Sequence, residues 1–257
     1  MIEFTDVQLF SWVTGFMWPL TRILGLLASA PVLSHKSIPV TYRVALGVFI
    51  TLIVAPGLPP FPEQDPLSWA GVLILVQQFL IGISIGFVMR LVFTGFELAG
   101  ELMGMTMGLG FAAFFDPQTQ GRSSVVSQFL LQLIGLLFLS HDLHLSLLEV
   151  LVHSFSTLPV DVHSLDRNVF KNIAFFGGHI FSIGVQIALP IVTALLFANL
   201  ALGVLTRAAP QLNLFGIGFP ITMTVGYLML ELILPYWTTP IFNMFESGFN
   251  MLSNLAK

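Results

Sequence analysis

Apolar residues run along this chain in long stretches that are separated by short polar or proline-rich breaks. A helix that crosses a membrane needs about 20 mainly apolar residues, and six regions reach or approach that length. Alternation with a period of two is absent from them, so the pattern predicts helices rather than the strands of a barrel. The six regions cover residues 8–30, 38–56, 69–96, 124–150, 179–206 and 212–237.

The segments outside these regions differ in kind. Residues 55–66, APGLPPFPEQDP, are too rich in proline to form a helix, and residues 156–168 are the longest polar connection. The C-terminal residues 238–257 predict an amphipathic helix that lies on the membrane or docks on a partner. Its apolar face carries Ile241, Phe245, Phe249 and Leu252, and its polar face carries Asn243, Glu246, Asn250 and Asn254.

Composition places the chain in the membrane class. Of its 257 residues 56% are hydrophobic and only 9% are charged, whereas a soluble domain carries about 25% charged residues. A net charge of −4 with 9 Lys and Arg residues argues against nucleic acid as a partner. The absence of cysteine excludes disulfides and thiolate metal sites.

The charged residues alternate from one connection to the next. Basic residues are more frequent in cytoplasmic connections, so this alternation predicts that both termini lie outside the cytoplasm. The basic side carries Lys36, Arg43, Arg90, Arg122 and Arg207, and the acidic side carries Glu3, Asp6, Glu63, Asp65 and Glu246.

Arg22 stands inside the first apolar region. An arginine at a helix centre costs about 3 kcal/mol on insertion, and the ten Leu, Ile, Val and Phe residues in 7–27 return roughly 4 kcal/mol. The balance is barely favourable, so we expect the helix to be buried against other protein rather than surrounded by lipid. Snorkelling of Arg22 to the interface is the alternative.

Glycines recur at a spacing of four residues in two places. One pair is Gly82 and Gly86, and the run GELMGMTMG puts Gly100, Gly104 and Gly108 on one face of a helix. Small residues at this spacing let helix backbones approach closely, which drives association inside a bilayer. The sequence therefore predicts close helix packing at both places.

Aromatic residues stand in a segment that is built to bend, GLGFAAFFDPQTQGRSS at 108–124. Loops are normally polar, because exposed aromatic surface costs free energy in water. The rings either fill the core at a helix end or close a passage, and the surrounding glycines would then be hinges. The rings are Phe111, Phe114 and Phe115, the turn is Asp116-Pro117, and the candidate hinges are Gly108, Gly110 and Gly121.

Candidate catalytic and metal-binding patterns are weak. Ser84 is centred in a G-x-S-x-G match, but that motif needs a turn from strand to helix and here lies in a continuous apolar region. Glu97 and Glu101, one turn apart, could bind a cation, move protons, stay solvated or pair with a basic neighbour. The sequence predicts no enzyme, no metal and no cofactor. His141, Asp142, His144, Glu149 and His153 lack metalloprotease spacing and are interpreted as interfacial polar residues.

Three stretches resemble the FliR family, the R-type export-gate subunits of flagella, with relatives in injectisome secretion. They are residues 21–46, residues 100–130 and residues 189–230, so the similarity covers nearly the whole chain. The family's loop is matched by Phe111, Phe114, Asp116 and Pro117 among others. The residues Arg207, Pro210, Asn213 and Pro220 match its second conserved region.

The resemblance implies an all-α fold of kinked, glycine- and proline-interrupted hairpins that are associated with a membrane. A P-like part would cover residues 1–178, a Q-like hairpin 179–237 and an amphipathic helix 238–257. The loop near 110–122, called the Phe loop below, would project as a plug into the channel of the assembled gate. Much of that assembly would stand outside the bilayer plane.

The resemblance also implies partners and a location. P-type and Q-type subunits (FliP and FliQ) would form the gate with this chain in the flagellar basal body at the bacterial inner membrane. FlhB and FlhA would be further partners, and unfolded proteins would be the substrates. A small-solute permease is the alternative function, because packed glycines and prolines such as Pro190 also occur in broken transporter helices.

Overall fold

The computed structural model describes residues 6–59, 61–62, 64–111, 124–161, 167–209 and 214–255, and we restrict the description to them. The prediction of an all-α chain is confirmed there, since the described residues form helices and turns without any strand. The α-helices are α1 (Asp6–Ser29), α2 (Val40–Val54), α3 (Trp69–Thr106), α4 (Val125–Ser140), α5 (Leu143–Thr157), α6 (Arg167–Phe176), α7 (His179–Ala208), α8 (Phe219–Ile233) and α9 (Thr238–Leu255).

Two compact units share these helices. The first lies within residues 1–91, 138–177 and 247–257, and the second within 92–137 and 178–246. The long helices α3 and α9 therefore contribute one half to each unit.

In the first unit α1 and α3 approach each other at glycines. An added Cβ at Gly82 would lie 2.0 Å from the carbonyl oxygen of Arg22, and one at Gly25 would lie 2.5 Å from the carbonyl oxygen of Phe79. At Gly86 it would lie 2.2 Å from Ser29 Oγ, and that hydroxyl donates to the carbonyl of Ile83 at 3.1 Å. Backbone therefore contacts backbone, which a side chain at these positions would prevent.

Arg22 is buried completely inside the first unit. Its Nε donates to Gln78 Oε1 at 2.8 Å and an Nη2 hydrogen goes to the same oxygen. Its Nη1 donates to the carbonyl and the hydroxyl of Ser154 at 2.8 and 3.0 Å, and Nη2 reaches the carbonyl of Leu158 at 2.8 Å. The expected burial against protein is thus present, and snorkelling is not what this side chain does.

An apolar cluster adjoins this polar centre through Phe155. Its core consists of Trp18, Ile74, Phe155 and Val160, with Leu58, Phe61 and Leu75 packed against it. The guanidinium carbon of Arg22 lies 4.1 Å from the centre of the Phe155 ring, which adds a cation–π contact to the hydrogen bonds.

In the second unit α7 and α8 pack against each other, with the π-helical turn Leu214–Gly218 leading into α8. The C-terminal half of α3 meets α7 at two further glycines. A Cβ on Gly95 would lie 2.7 Å from the side chain of Ile183, and one on Gly184 would lie 2.8 Å from that of Leu98. The same close approach that joins α1 to α3 is therefore repeated inside the second unit.

Four helical segments are long and apolar enough to cross a membrane, or five if a bent pair counts as one span. The four cover Val40–Gly57, Trp69–Thr106, Asn168–Ala208 and Gly216–Asn254. The bent pair is α4 with α5, whose axes differ by 67°. The length and composition of these helices agree with the membrane class that the sequence indicated.

The predicted segments differ from the helices in two places. The region 69–96 is too short, because α3 continues to Thr106 through Glu97 and Glu101 without a proline to end it. The region 124–150 is not one helix, because Asp142 takes a left-handed φ of 55° between α4 and α5. A left-handed residue ends regular helix geometry, so the chain turns there.

Candidate functional site

The predicted loop site is only partly within the described residues. Phe111 closes the short 3-10 turn Leu109–Phe111, and Ser124 is the next described residue after it. Phe114, Phe115, Asp116, Pro117 and Gly121 lie outside the described residues. What the structure gives is the base of the loop, meaning the end of α3 and the start of α4.

The two sides of this base meet at two glycines of α3. A Cβ on Gly100 would lie 2.3 Å from Ser127 Cα, and a Cβ on Gly104 would lie 2.6 Å from Ser124 Oγ. The first turn of α4 therefore lies directly against the backbone of α3. This places Gly100 and Gly104, which the sequence indicated as a packing pair, at the point where the chain returns from the loop.

Hydrogen bonds fasten the same contact. The Ser124 N–H donates to Glu101 Oε1 at 2.6 Å, and the Ser124 hydroxyl donates to the carbonyl of Gly100 at 3.2 Å. The Ser127 N–H donates to Ser124 Oγ at 3.1 Å, which makes Ser124 the N-cap of α4. The Ser127 hydroxyl donates to the carbonyl of Glu97 at 3.0 Å.

The end of α3 has a third contact, with α8. Thr222 Oγ1 donates to the carbonyl of Met107 at 3.1 Å. A Cβ on Gly226 would lie 2.6 Å from Met107 Cγ, so the buried Met107 side chain occupies the space that Gly226 leaves open. Helix α8 therefore supports the residue at which the chain leaves α3.

The glycines of the loop base have different surroundings. Gly108 has a backbone φ of 88°, which residues with a side chain rarely adopt. Its N–H donates to the carbonyl of Met105 at 3.0 Å. It lies beyond the end of α3, so the prediction that it shares a helical face with Gly100 and Gly104 is wrong. Among the described residues, no atom lies within 4 Å of an added Cβ on Gly110.

The residues that match the second conserved region of the FliR family also lie only partly within the described residues. Arg207 is exposed in the last turn of α7, where a cation is favourable at the negative end of a helix. Pro220 is exposed in the first turn of α8, where its missing N–H costs no hydrogen bond. Pro210 and Asn213 lie outside the described residues.

The weak chemical patterns gain nothing from the structure. Ser84 lies in the middle of α3, so it is not on a nucleophile elbow. Among the described residues no three His, Asp or Glu side chains lie close enough together to hold a metal. Glu101 is engaged with the N-terminus of α4, so it is not a solvated carboxylate.

Sequence reasoning missed the residues that fasten the base. Ser124 has a recognisable signal, since a serine directly before an apolar run is a common N-cap. Met107 and Thr222 have none, because their contact joins residues 115 positions apart. Glu101 was recognised as a polar residue in an apolar helix, but its partner could not be read from spacing.

Comparison with known proteins identifies the family. The family model described as bacterial export proteins, family 1, matches residues 13–248. The chain belongs to this FliR family. A flagellar biosynthetic protein FliR from Pectobacterium carotovorum subsp. carotovorum is 44% identical over 255 residues, which cover 99% of this chain and 97% of that protein. Membership places the chain among export proteins and not among enzymes.

Other members of the family show how far the similarity extends. The FliR protein of Escherichia coli (strain K12) is 40% identical over 255 residues, again covering 99% of this chain and 97% of that protein. The FliR protein of Bacillus subtilis (strain 168) is 27% identical over 246 residues and covers 94% of each chain. The family resemblance proposed from the sequence is therefore confirmed along the length of the chain.

Proposed function

We propose that this chain is a subunit of the flagellar protein export gate. It would form the gate with P-type and Q-type subunits in the basal body at the inner membrane, next to FlhB and FlhA. Family membership and several long apolar helices support export across a membrane. Unfolded flagellar proteins would be the substrates.

Within that gate we assign the Phe loop the role of a seal. A passage wide enough for a polypeptide must not leak ions at rest, and apolar side chains in a constriction exclude water and ions. Burial of Phe111, Phe114 and Phe115 would favour closure by about 5–9 kcal/mol, before the cost of ordering the loop. The net must be smaller, because substrate has to open the passage.

The observation that carries this assignment is the fastened base. Ser124, after the loop, is held by Gly100 and Glu101 of α3, and Met107, before the loop, is held by Thr222 of α8. A base fastened in this way would keep α3 and α4 in place when the passage opens. Gly108, Gly110 and Gly121 would be the hinges of the loop, and the left-handed φ of Gly108 is one that glycine adopts readily.

The double variant Phe114→Ala with Phe115→Ala tests the seal. Removal of two rings takes away roughly 3–6 kcal/mol of apolar burial, so we expect the assembled complex to leak ions at rest. Ion conductance of membranes that contain the complex is the measurement, and copurification of the other gate subunits reports assembly.

Two exposed phenylalanines outside the loop provide the matched control. Phe175→Ala with Phe181→Ala removes the same ring area from exposed positions, so its membranes should stay tight. Wild-type tightness in an assembled Phe114 and Phe115 double variant would show that the loop does not seal the passage.

A further inference from the structure

The N–H of Ser124 and the carboxylate of Glu101 form a contact that the family assignment does not explain. Ser124 caps α4, and in a capping box the residue three positions later would accept its backbone N–H. That position holds Ser127, whose hydroxyl instead donates to the carbonyl of Glu97 at 3.0 Å. Glu101, from the neighbouring helix α3, supplies the missing acceptor at 2.6 Å.

Because the acceptor comes from α3 and not from α4, the hydrogen bond joins two helices. An ordinary capping box would stabilise only one. A carboxylate is also favoured at the positive end of a helix dipole, and both residues are half-buried, which strengthens the contact. The absence of a side chain on Gly104 permits the approach, since its Cβ would lie 2.9 Å from Ser124 Cβ. The carboxylate thus determines where α4 begins relative to the last turns of α3.

We propose that Glu101 is a positioning residue of the export gate. Through Ser124 it fixes the first turn of α4 on α3, while Thr222 of α8 holds Met107. The distance between Met107, where the chain leaves α3, and Ser124, where α4 begins, is therefore fixed. This inference rests on the proposed sealing function, because a seal closes reproducibly only if its ends are fixed.

Amide hydrogen exchange tests the contact independently of sealing. In the full chain assembled with its gate partners, Glu101→Ala should speed exchange in peptides that cover residues 124–128 by roughly tenfold or more, since a hydrogen bond to a charged acceptor is lost. Glu101→Gln keeps a carbonyl acceptor and should restore most of the protection. Glu246→Ala removes an exposed carboxylate of the same unit and should leave these peptides unchanged.

Ion conductance of the same membranes tests the consequence. Glu101→Ala should leak, Glu101→Gln should leak less, and Glu246→Ala should be as tight as the wild type. Unchanged exchange in Glu101→Ala would overturn the anchoring contact itself. Faster exchange without a leak, in membranes where the Phe114 and Phe115 double variant does leak, would overturn the positioning role and leave the seal standing. If that double variant is tight, the seal falls and the positioning role falls with it.

Discussion

Arg22 carries a buried charge whose partners, within the described part of the chain, are all neutral. Two of its acceptors are carbonyls at the C-terminal end of α5, those of Ser154 and Leu158. That end of a helix carries a partial negative charge and unpaired carbonyls, so a cation is stabilised there. The fork geometry of the guanidinium serves Gln78 and α5 together, which an ammonium group could not do.

Two buried side chains near Arg22 have N–H groups without a hydrogen-bond partner among the described residues, which costs free energy. Because Gln78 Oε1 accepts from the guanidinium, its amide nitrogen must point elsewhere, and this buried Nε2 finds no partner among the described residues. The indole N–H of buried Trp18 is unpaired in the same part of the structure. Arg22 and Gln78 therefore depend on each other for their hydrogen bonds. Removal of Arg22 alone should lower the stability of the fold more than removal of both side chains.

Substitutions at Arg22 and Gln78 test this expectation. Arg22→Met leaves Gln78 Oε1 and the carbonyl of Leu158 without donors, so we expect a loss of about 2–5 kcal/mol in stability. The double change Arg22→Met with Gln78→Leu removes donor and acceptor together and should be the more stable of the two. Thermal unfolding in detergent is the measurement. A double variant less stable than Arg22→Met would contradict the argument.

Among the elements, α3 has the largest part in the organisation. Its N-terminal half packs on α1 through Gly82 and Gly86, and its C-terminal half packs on α4 through Gly100 and Gly104. The spacing of four that the sequence shows is thus used in both units, with a different partner each time. Spacing predicted the close approach, whereas it could not say which helix approaches.

A methyl group at Gly82 tests the importance of this approach. In Gly82→Ala the new Cβ would meet the backbone oxygen of Arg22 at 2.0 Å, and backbone can yield only if α1 and α3 move apart. We expect a loss of about 1–3 kcal/mol, measured as a lower midpoint of thermal unfolding. Gly203→Ala in α7 is the control, since no atom of the described residues lies within 4 Å of its added Cβ, and it should stabilise the helix by about 0.5–1 kcal/mol. Equal midpoints for the two variants would disprove close packing at Gly82.

At the scale of the whole molecule, much apolar surface is left uncovered by the chain itself. Helix α2 exposes Tyr42, Phe49 and Ile53, and α7 exposes Phe181 and Phe197. Lipid can cover such side chains, and so can other subunits of a gate. Lipid and protein subunits can be distinguished by experiment. Subunits protect backbone amides from exchange with water and associate with the chain in a fixed stoichiometry.

Coexpression distinguishes them. Produced with the P-type and Q-type subunits, the chain should elute as one complex and in higher yield than when it is produced alone. Amide exchange in α7 and in the connections at its ends should slow in that complex, because a protein partner excludes water. A chain that is monodisperse and equally abundant alone, with unchanged exchange in α7, would favour the permease over the gate subunit.

The sequence by itself determined the class of the molecule and most of its helices, because long apolar stretches and scarce charge leave a membrane helix as the stable choice. It also indicated the amphipathic α9, whose buried Ile241, Phe245 and Leu252 contrast with the exposed Asn243 and Glu246. These properties depend on neighbours in sequence, so they can be read from it.

Only the tertiary structure decided which polar groups meet. Arg22 finds Gln78 across 56 positions and Ser154 across 132, and Met107 finds Thr222 across 115. Glu101 and Ser124 are 23 positions apart, on either side of the Phe loop. A buried polar group needs a hydrogen-bond partner, and helix packing determines which partner is within reach. No local sequence pattern records that packing.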